Sequence, residues 1–538
     1  MNTTPSLAQI QAKHVVLELE CIDRMYLNAY VPQLTSEGGI AAYFRGYLGH
    51  RFASTKQAEP MTKAFLKAIA GFLDQEGLEL VRFRKRERKD EVMQQPLRRF
   101  KKSGKTEGVV FVGVAQEKSR VPRTTRKHLD GGGTIPWIIY STAMVNQYYF
   151  YCYDRDFGPF FLKFCSYFPY PAKLCLNGHE YLKCQLQHRG IAFAALDNGL
   201  LSCADVKTAQ RIADDLSATR INFFFRKWLE RLPHPYSAPD RRAGFRYELS
   251  MLQMEFSLTQ IWDRADHGRA FFEELIRENL DLGRPEQVQL IFARKMQRKT
   301  ATDGRCRTRI ITAGVMPSLH VYYKHTHLKQ YYKEGRGFRT ETTINNTYDF
   351  RVGRRLKNLP ALRQIGFAAN RRVLEVERLS HDCHIGAAAF EQLQKPAEVD
   401  GQHASALPFG QARVQALLMV LVMFCLQPDG FRNRQLRPLL AQLLGLPEAQ
   451  ISAGRMSYDL RRLRLHRIIE RIPNTQRYRL TTFGLKTALF YSRVHQRLLR
   501  PGLSQLCDLK TTNSTPLANA FAKFQQALDV YTEEKIAA

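Results

Sequence analysis

Several groups of residues have types and spacings that can do chemistry. Asp154 and Asp156 stand two apart. On an extended chain alternate side chains share a face, so this pair can hold Mg²⁺ for phosphodiester hydrolysis. An Asp-rich tight turn would use the same residues for local hydrogen bonds only. Glu117-Lys118 follows the apolar run 109–115, with Asp90 and Glu91 upstream. Carboxylates placed so can bind a metal while a lysine steadies the attacking water or the developing charge. An ordinary charged loop is the plainer alternative. His325-Thr326-His327 precedes Tyr331 and Tyr332. Two imidazoles can hold a metal that polarises a phosphate, and a tyrosine hydroxyl can attack it. The same stretch also reads as a basic sheet surface of Lys324, His325, His327, Lys329 and Lys333. Cys175, His179 and Cys184, with Cys165 nearby, are zinc-ligand types, as is the run His381-Asp382-Cys383-His384. Cys184 has the wrong spacing for the helix face shared by Cys175 and His179.

Two of these groups resemble known families. Glu117-Lys118 beside a strand resembles the arrangement of restriction-type nucleases, which implies metal-bound carboxylates with Lys118 beside them. His325 and His327 followed by a tyrosine resemble the rolling-circle replication and relaxase class. The paired-strand pattern from Lys329 to Lys333 and from Phe338 to Glu341 is similar to phage replication initiators. Thr326 departs from that class, which places a bulky apolar residue between its histidines and its tyrosine on a helix. Ser103-Gly104-Lys105-Thr106 has the ending of a phosphate-binding loop, but Arg99 occupies the place of the first glycine and no apolar strand leads in. A P-loop nucleotide site is therefore excluded.

These residues depend on the elements that carry them. Val15, Leu17, Leu19 and Cys21 alternate with polar residues and predict a half-buried strand. Helices are expected at 39–49 and 61–75, and strands at 78–84 and 109–115. The glycines at 131–133 mark a break. Aromatic-rich strands at 147–153 and 160–168 flank Asp154–Gly158 as a hairpin. Helices follow at 178–188, 205–216 and 218–231, ended by Pro233 and Pro235. An extended stretch at 245–262, a helix at 269–280 and strands at 287–294, 306–313, 318–332 and 338–346 form a further unit. A helix at 359–378 and a weakly patterned connector lead to the C-terminal part.

Charge bounds the partner. The 538 residues carry 81 Lys and Arg against 50 Asp and Glu, a net charge of +31. Such an excess predicts an anionic partner. It is clustered, with a net of +11 between Arg82 and Lys127 and +12 between Gly430 and Arg500. Arg84, Lys85, Arg86, Lys101 and Lys102 lie in the first cluster. The longest apolar run, 416–426, is too short to span a bilayer, so no membrane partner is expected. Ten cysteines without a Cys-x-x-Cys pair and a polar N-terminus are those of a reduced, cytoplasmic chain.

The segment 410–500 is the most readable. Helices at 412–426, 434–444 and 454–466 precede strands at 467–472 and 477–480 joined by Pro473-Asn474-Thr475-Gln476, then a final helix. This order resembles a winged-helix DNA-binding domain. The resemblance covers under a fifth of the chain, and Pro438 inside the second helix would kink it or move its start. Met456, Leu460 and Leu463 form one apolar face of the third helix. The resemblance implies a recognition role for Arg455, Tyr458, Arg461 and Arg462, and backbone contacts from the hairpin residues Arg471, Arg477 and Arg479.

The expected architecture is α+β and multidomain: 1–134, 135–235 and 236–357 as mixed sheet units, 358–409 as helix and connector, 410–505 as the winged helix and 506–538 as a tail helix. The expected function is nucleic-acid binding, to DNA rather than RNA, in a replication or mobile-element setting. A metal-dependent nuclease or nickase, which would use Mg²⁺, and a scaffold for protein partners are the alternatives.

Overall fold

The computed structural model describes residues 7–84, 89–128, 132–279, 306–311, 318–333, 336–381, 383–427, 429–499 and positions between 516 and 530. Lys85, Arg86, Asp382, the side chains of Asp90 and Glu91, and the strand expected at 287–294 lie outside the described residues. The chain is α+β, and it divides into two compact units. One comprises 14–270 and 286–371; the other comprises 1–13, 271–285 and 372–538. Among the described residues no helix is long and apolar enough to cross a membrane.

The first unit is organised by one sheet. Its strands are β1 (Val15–Tyr30), β2 (Leu80–Arg82), β3 (Gly108–His128), β4 (Thr134–Asp154), β5 (Gly158–Cys165) and β6 (Ala172–Asn177). A separate hairpin, β7 (Phe193–Leu196) and β8 (Gly199–Cys203), follows. The sheet continues with β9 (Glu248–Trp262), β10 (Cys306–Ile311), β11 (Ser318–Tyr323), β12 (Thr326–Lys333) and β13 (Gly337–Ile344). The order is β10-β11-β12-β13-β9-β1-β6-β5-β4-β3-β2. Every pairing is antiparallel except that of β2 with β3.

The segments expected as three separate units thus contribute strands to one sheet. The glycines near 132 lie in the connection of a hairpin and mark no domain boundary, because β3 and β4 pair from Gly108↔Tyr153 to His128↔Thr134. The strand expected at 318–332 is divided in two. Lys324 takes a positive φ of 50° and turns the chain at His325.

Side-chain alternation distributes the apolar residues to both faces of the sheet. Phe160 of β5 meets Trp228 of helix Ala218–Arg231, with ring centroids 4.8 Å apart, and Phe164 meets Phe65 of helix Glu59–Glu76. Phe161, on the opposite face of β5, joins Tyr149, Tyr151 and Phe111, beneath Phe100 and Leu97 of helix Lys89–Lys102. At β9 the two faces differ in chemistry. Phe256 packs on Phe367 of helix Leu359–His381, whereas its neighbour Ser257 faces His179 of helix Gly178–His188.

In the second unit, helices Ala412–Met423, Asn433–Leu444 and Ala453–Leu465 precede a hairpin of Ile469–Arg471 with Tyr478–Leu480, then helix Thr482–Arg493. Phe431 forms an isolated bridge to Tyr478, adding a third short extended segment to the hairpin. Pro438 sits inside an unbroken helix that starts at Asn433, so it does not move the start. Leu417, Leu436, Leu460, Leu463 and Leu485 share the core. Gly484 is packed tightest: an added Cβ would lie 1.8 Å from the Ile468 carbonyl oxygen. Gly484→Ala is expected to destabilise this unit by about 1–3 kcal/mol through overpacking. A thermal melt unchanged from the parent would contradict that packing.

Candidate functional site

Helix Ala453–Leu465 has two sides of opposite character. Ser452 caps its start by accepting from the Arg455 amide. Met456, Leu460 and Leu463 are buried. Asp459 is also buried, and Arg413 donates to it at 2.6 Å. Arg462 was expected on the nucleic-acid face, but it is 6% exposed and turned inward. Its guanidinium donates to the carbonyls of Ser405 and Ala406, and His466 contacts the Ser405 carbonyl at 2.9 Å. These bonds satisfy a buried cation, as burial requires. Arg455, Tyr458, Arg461 and Arg464 remain exposed. The Tyr458 hydroxyl lies 3.1 Å from that of Ser405.

The hairpin divides in the same way. Arg477 was expected to reach the backbone of a ligand, but it is 8% exposed. Its guanidinium pairs with Asp429 at 2.8 Å and donates to the Asp429 and Gly430 carbonyls. Arg471 and Arg479 are exposed; the first donates to the Thr475 carbonyl at 2.7 Å and the second pairs with Glu470. Periodicity separates apolar from polar faces but cannot say which arginine has a carbonyl waiting for it.

The carboxylates and histidines expected to do catalysis are not brought together. Asp154 is 1% exposed. Its oxygens accept from the amides of Asp156 and Phe157, from Lys227 at 2.8 Å and from the Trp228 indole at 2.7 Å. Asp156 sits in the turn, beyond the end of β4, and lies beside Arg155 and His188. The two therefore do not share a strand face, and Asp154 serves the hairpin turn. Glu117 and Lys118 point to opposite faces because they are neighbours on β3. Glu117 accepts from Lys163 at 2.7 Å and from Tyr149, while Lys118 is exposed. Glu117 lies nine residues along the ribbon from the level of Gly108↔Tyr153, which separates it from Asp154 by roughly 30 Å at about 3.3 Å per residue.

His325 lies in the turn before β12, and its Nδ1 contacts Asp349 at 2.9 Å. His327 instead meets His320 at 2.8 Å and stacks 4.6 Å from Tyr322. Burial lowers the His327 pKa to about 4, with Lys329 adding to the effect. The Tyr331 hydroxyl donates to Glu341, on the opposite side of β12 from the buried Tyr332. Strand β12 stands six strand steps from β4, roughly 29 Å at about 4.8 Å per step. His179 is not placed as a zinc ligand: its Nε2 lies 2.9 Å from the Ser257 hydroxyl and 3.1 Å from Arg339.

Sequence reasoning missed a cluster at the centre of the sheet. Asp23 of β1, Glu255 of β9 and Glu341 of β13 bring carboxylate oxygens within 4.8 Å of one another. Arg339 is fully buried between them. Its guanidinium pairs with Asp23, lies 3.3 Å from Glu341 and donates to the Asn198 carbonyl in the β7–β8 turn. Asn198 in turn donates to Asp23. Arg24 approaches Glu255 at 3.7 Å. Burial alone would raise the Asp23 carboxyl, but the Arg339 charge overrides it and holds the group below the usual carboxylate range. Burial raises Glu255 to about 8, Arg24 pulls it down and Glu341 pushes it further up. At neutral pH Glu255 is therefore mainly protonated, with Arg24 beside it, while Arg339 pairs with Asp23 and lies against Glu341. The cluster is balanced by its own arginines, which gives it a structural role.

A second group, His14, Asp263 and His267, also escaped notice, although Asp263 and His267 stand at helical i, i+4 spacing. Each imidazole Nδ1 lies 2.9 Å from a different oxygen of Asp263. The bonds from His14 and then His267 hold Asp263 well below the usual carboxylate range. A carboxylate can only accept, so both rings carry their proton on Nδ1.

No family model, no curated protein and no solved structure matches this chain.

Two expectations follow from the central cluster. A carboxyl whose folded pKa exceeds its unfolded value of 4.5 contributes stability that is complete below about pH 4.5. That contribution is lost as pH rises through about 8. Glu255→Gln should therefore flatten the fall in unfolding free energy between these values; identical pH profiles for variant and parent would reject the assignment. Arg339→Met leaves Asp23 buried and unpaired, and should cost about 3–5 kcal/mol in denaturant unfolding.

Proposed function

We propose that the chain binds duplex DNA, and that 412–493 is a winged-helix module with Ala453–Leu465 as its recognition helix. One observation carries this reading. Arg455, Tyr458, Arg461 and Arg464 are exposed on a helix whose single acidic residue, Asp459, is buried. Arginine suits both phosphate and guanine edges because its planar fork donates two parallel hydrogen bonds. The exposed Arg471 and Arg479 extend the same basic surface onto the hairpin, where a wing would meet the phosphate backbone. Duplex DNA is favoured over RNA because its major groove admits a helix, whereas the A-form groove is deep and narrow. A nuclease reading would need carboxylates open to a metal; Glu117, Asp154 and Asp156 are engaged with local partners, and the assembled Asp23, Glu255 and Glu341 already face Arg339 and Arg24.

The test separates contact from folding. In the full chain, Arg455→Ala with Arg461→Ala should weaken binding to a labelled duplex at least tenfold, as loss of two phosphate or base contacts implies, with no change in melting temperature. Arg462→Ala should act oppositely, lowering stability by about 1–3 kcal/mol because the Ala406 carbonyl loses its donor and the Ser405 carbonyl keeps only His466. Unchanged duplex affinity in the Arg455/Arg461 variant would remove the recognition-helix assignment.

A further inference from the structure

The outer parts of β3 and β4 form a ribbon of their own. β2 pairs with β3 only at Val112–Val114, and β5 pairs with β4 only from Gln147 onward. From Gln116↔Asn146 to His128↔Thr134 no third strand is registered against either of them. At about 3.3 Å per residue this ribbon extends roughly 40 Å. Its inner part is supported. Thr124 accepts from the Thr55 amide at 2.8 Å, Tyr140 donates to the Leu34 carbonyl at 3.2 Å, and Val121 and Ile138 are buried. Among the described residues, 125–128 and 134–137 make no hydrogen bond to any other element.

The ribbon is basic along its length. Lys118, Arg120, Arg123, Arg126 and Lys127 are all exposed, and no carboxylate among the described residues forms an ion pair with any of them. Asp130 is the one acidic residue between Lys118 and Tyr153. Two of the cations rest on aromatic rings: Arg120 lies 4.4 Å from the Tyr140 centroid and Lys127 lies 4.7 Å from that of Trp137. Alternation puts Lys118, Arg120 and Arg126 on one face, and Arg123 and Lys127 on the other. Trp137 and Ile139, both 38% exposed, share the second face.

A ribbon lying flat on a polyanion needs one basic face. A ribbon with cations on both faces fits between two anionic walls, and the major groove of B-DNA, about 12 Å wide, admits a two-stranded ribbon between two phosphate backbones. We propose that the outer half of the β3–β4 ribbon enters the major groove of duplex DNA as a contact separate from the helix surface. Arg126 faces one backbone, and Arg123 and Lys127 face the other with the apolar surface of Trp137 and Ile139 beside them. This inference rests on the duplex-binding reading and adds a second site to it.

The full chain is compared with Arg123→Ala/Arg126→Ala/Lys127→Ala, with the glutamine version of the same three changes, and with the Arg455/Arg461 variant. Duplex affinity is measured against salt concentration. Three lost phosphate contacts should reduce the slope of log affinity against log salt by about 2.7, and reduce affinity at least tenfold at low salt. Methylation protection at guanine N7 should retract at one part of the footprint in the ribbon variants only. If affinity and slope stay at parent values while the helix variant loses binding, the ribbon proposal fails and the helix reading stands. If double-stranded RNA of the same sequence shows the same ribbon-dependent loss, groove entry is wrong, since its groove excludes a ribbon. Failure of the parent chain to bind any duplex overturns both readings. The glutamine set keeps the stems and hydrogen-bonding ends, so agreement between the two sets rules out misfolding as the cause.

Discussion

The buried pair of Arg339 and Asp23 is the constraint around which the first unit is arranged. It joins β13 to β1 across the intervening β9, between residues 316 apart in the chain. The same guanidinium reaches the β7–β8 turn through the Asn198 carbonyl, and lies 3.1 Å from His179 at the start of a helix. One side chain thus fixes the order of three strands, the position of a hairpin and the seat of a helix. Such a pair adds little net stability, because removing two charges from water costs about as much as their attraction returns. Its effect is on alternatives. Any strand order that separates Arg339 from Asp23 leaves a bare charge in the interior, at a cost of several kcal/mol.

That network also explains the chemistry of its neighbourhood. Burial first, and the neighbouring Glu341 and Asp23 after it, outweigh the pull of Arg24, so Glu255 keeps its proton. His179 is driven to a pKa of about 3 by burial and then by the adjacent Arg339, so it meets the cluster as a neutral ring. Opposite charges are matched in the interior, while the surplus positive charge of the chain is carried on surfaces such as the β3–β4 ribbon and the Arg455–Arg464 helix face.

The sequence made element types legible where a period was long and clean. The alternation of Leu17, Leu19 and Cys21 located β1, and the spacing of Met456, Leu460 and Leu463 identified the buried face of their helix. Which strands pair was not legible, because register between segments two hundred residues apart leaves no local trace. This is why three segments expected as separate units proved to share a sheet. The candidate site residues failed for a related reason. Arg462 and Arg477 are indistinguishable from Arg455 by type and spacing, and only the carbonyls of Ser405, Ala406, Asp429 and Gly430 decide that the first two turn inward. Asp23, Glu255 and Glu341 come from strands that become neighbours only in the finished sheet.

The position of β1 has a consequence for synthesis. Its two edges are covered by β6 and β9, and β9 begins at Glu248, more than two hundred residues after the end of β1. A ribosome adding about 5–20 residues per second needs on the order of ten to forty seconds to supply it. Through that interval a long apolar strand presents an unpaired edge, the feature that most readily recruits a neighbouring nascent chain. The central strand of the finished sheet is thus the aggregation hazard of the unfinished one, and rapid docking of 15–30 onto β6 halves the exposure before β9 arrives.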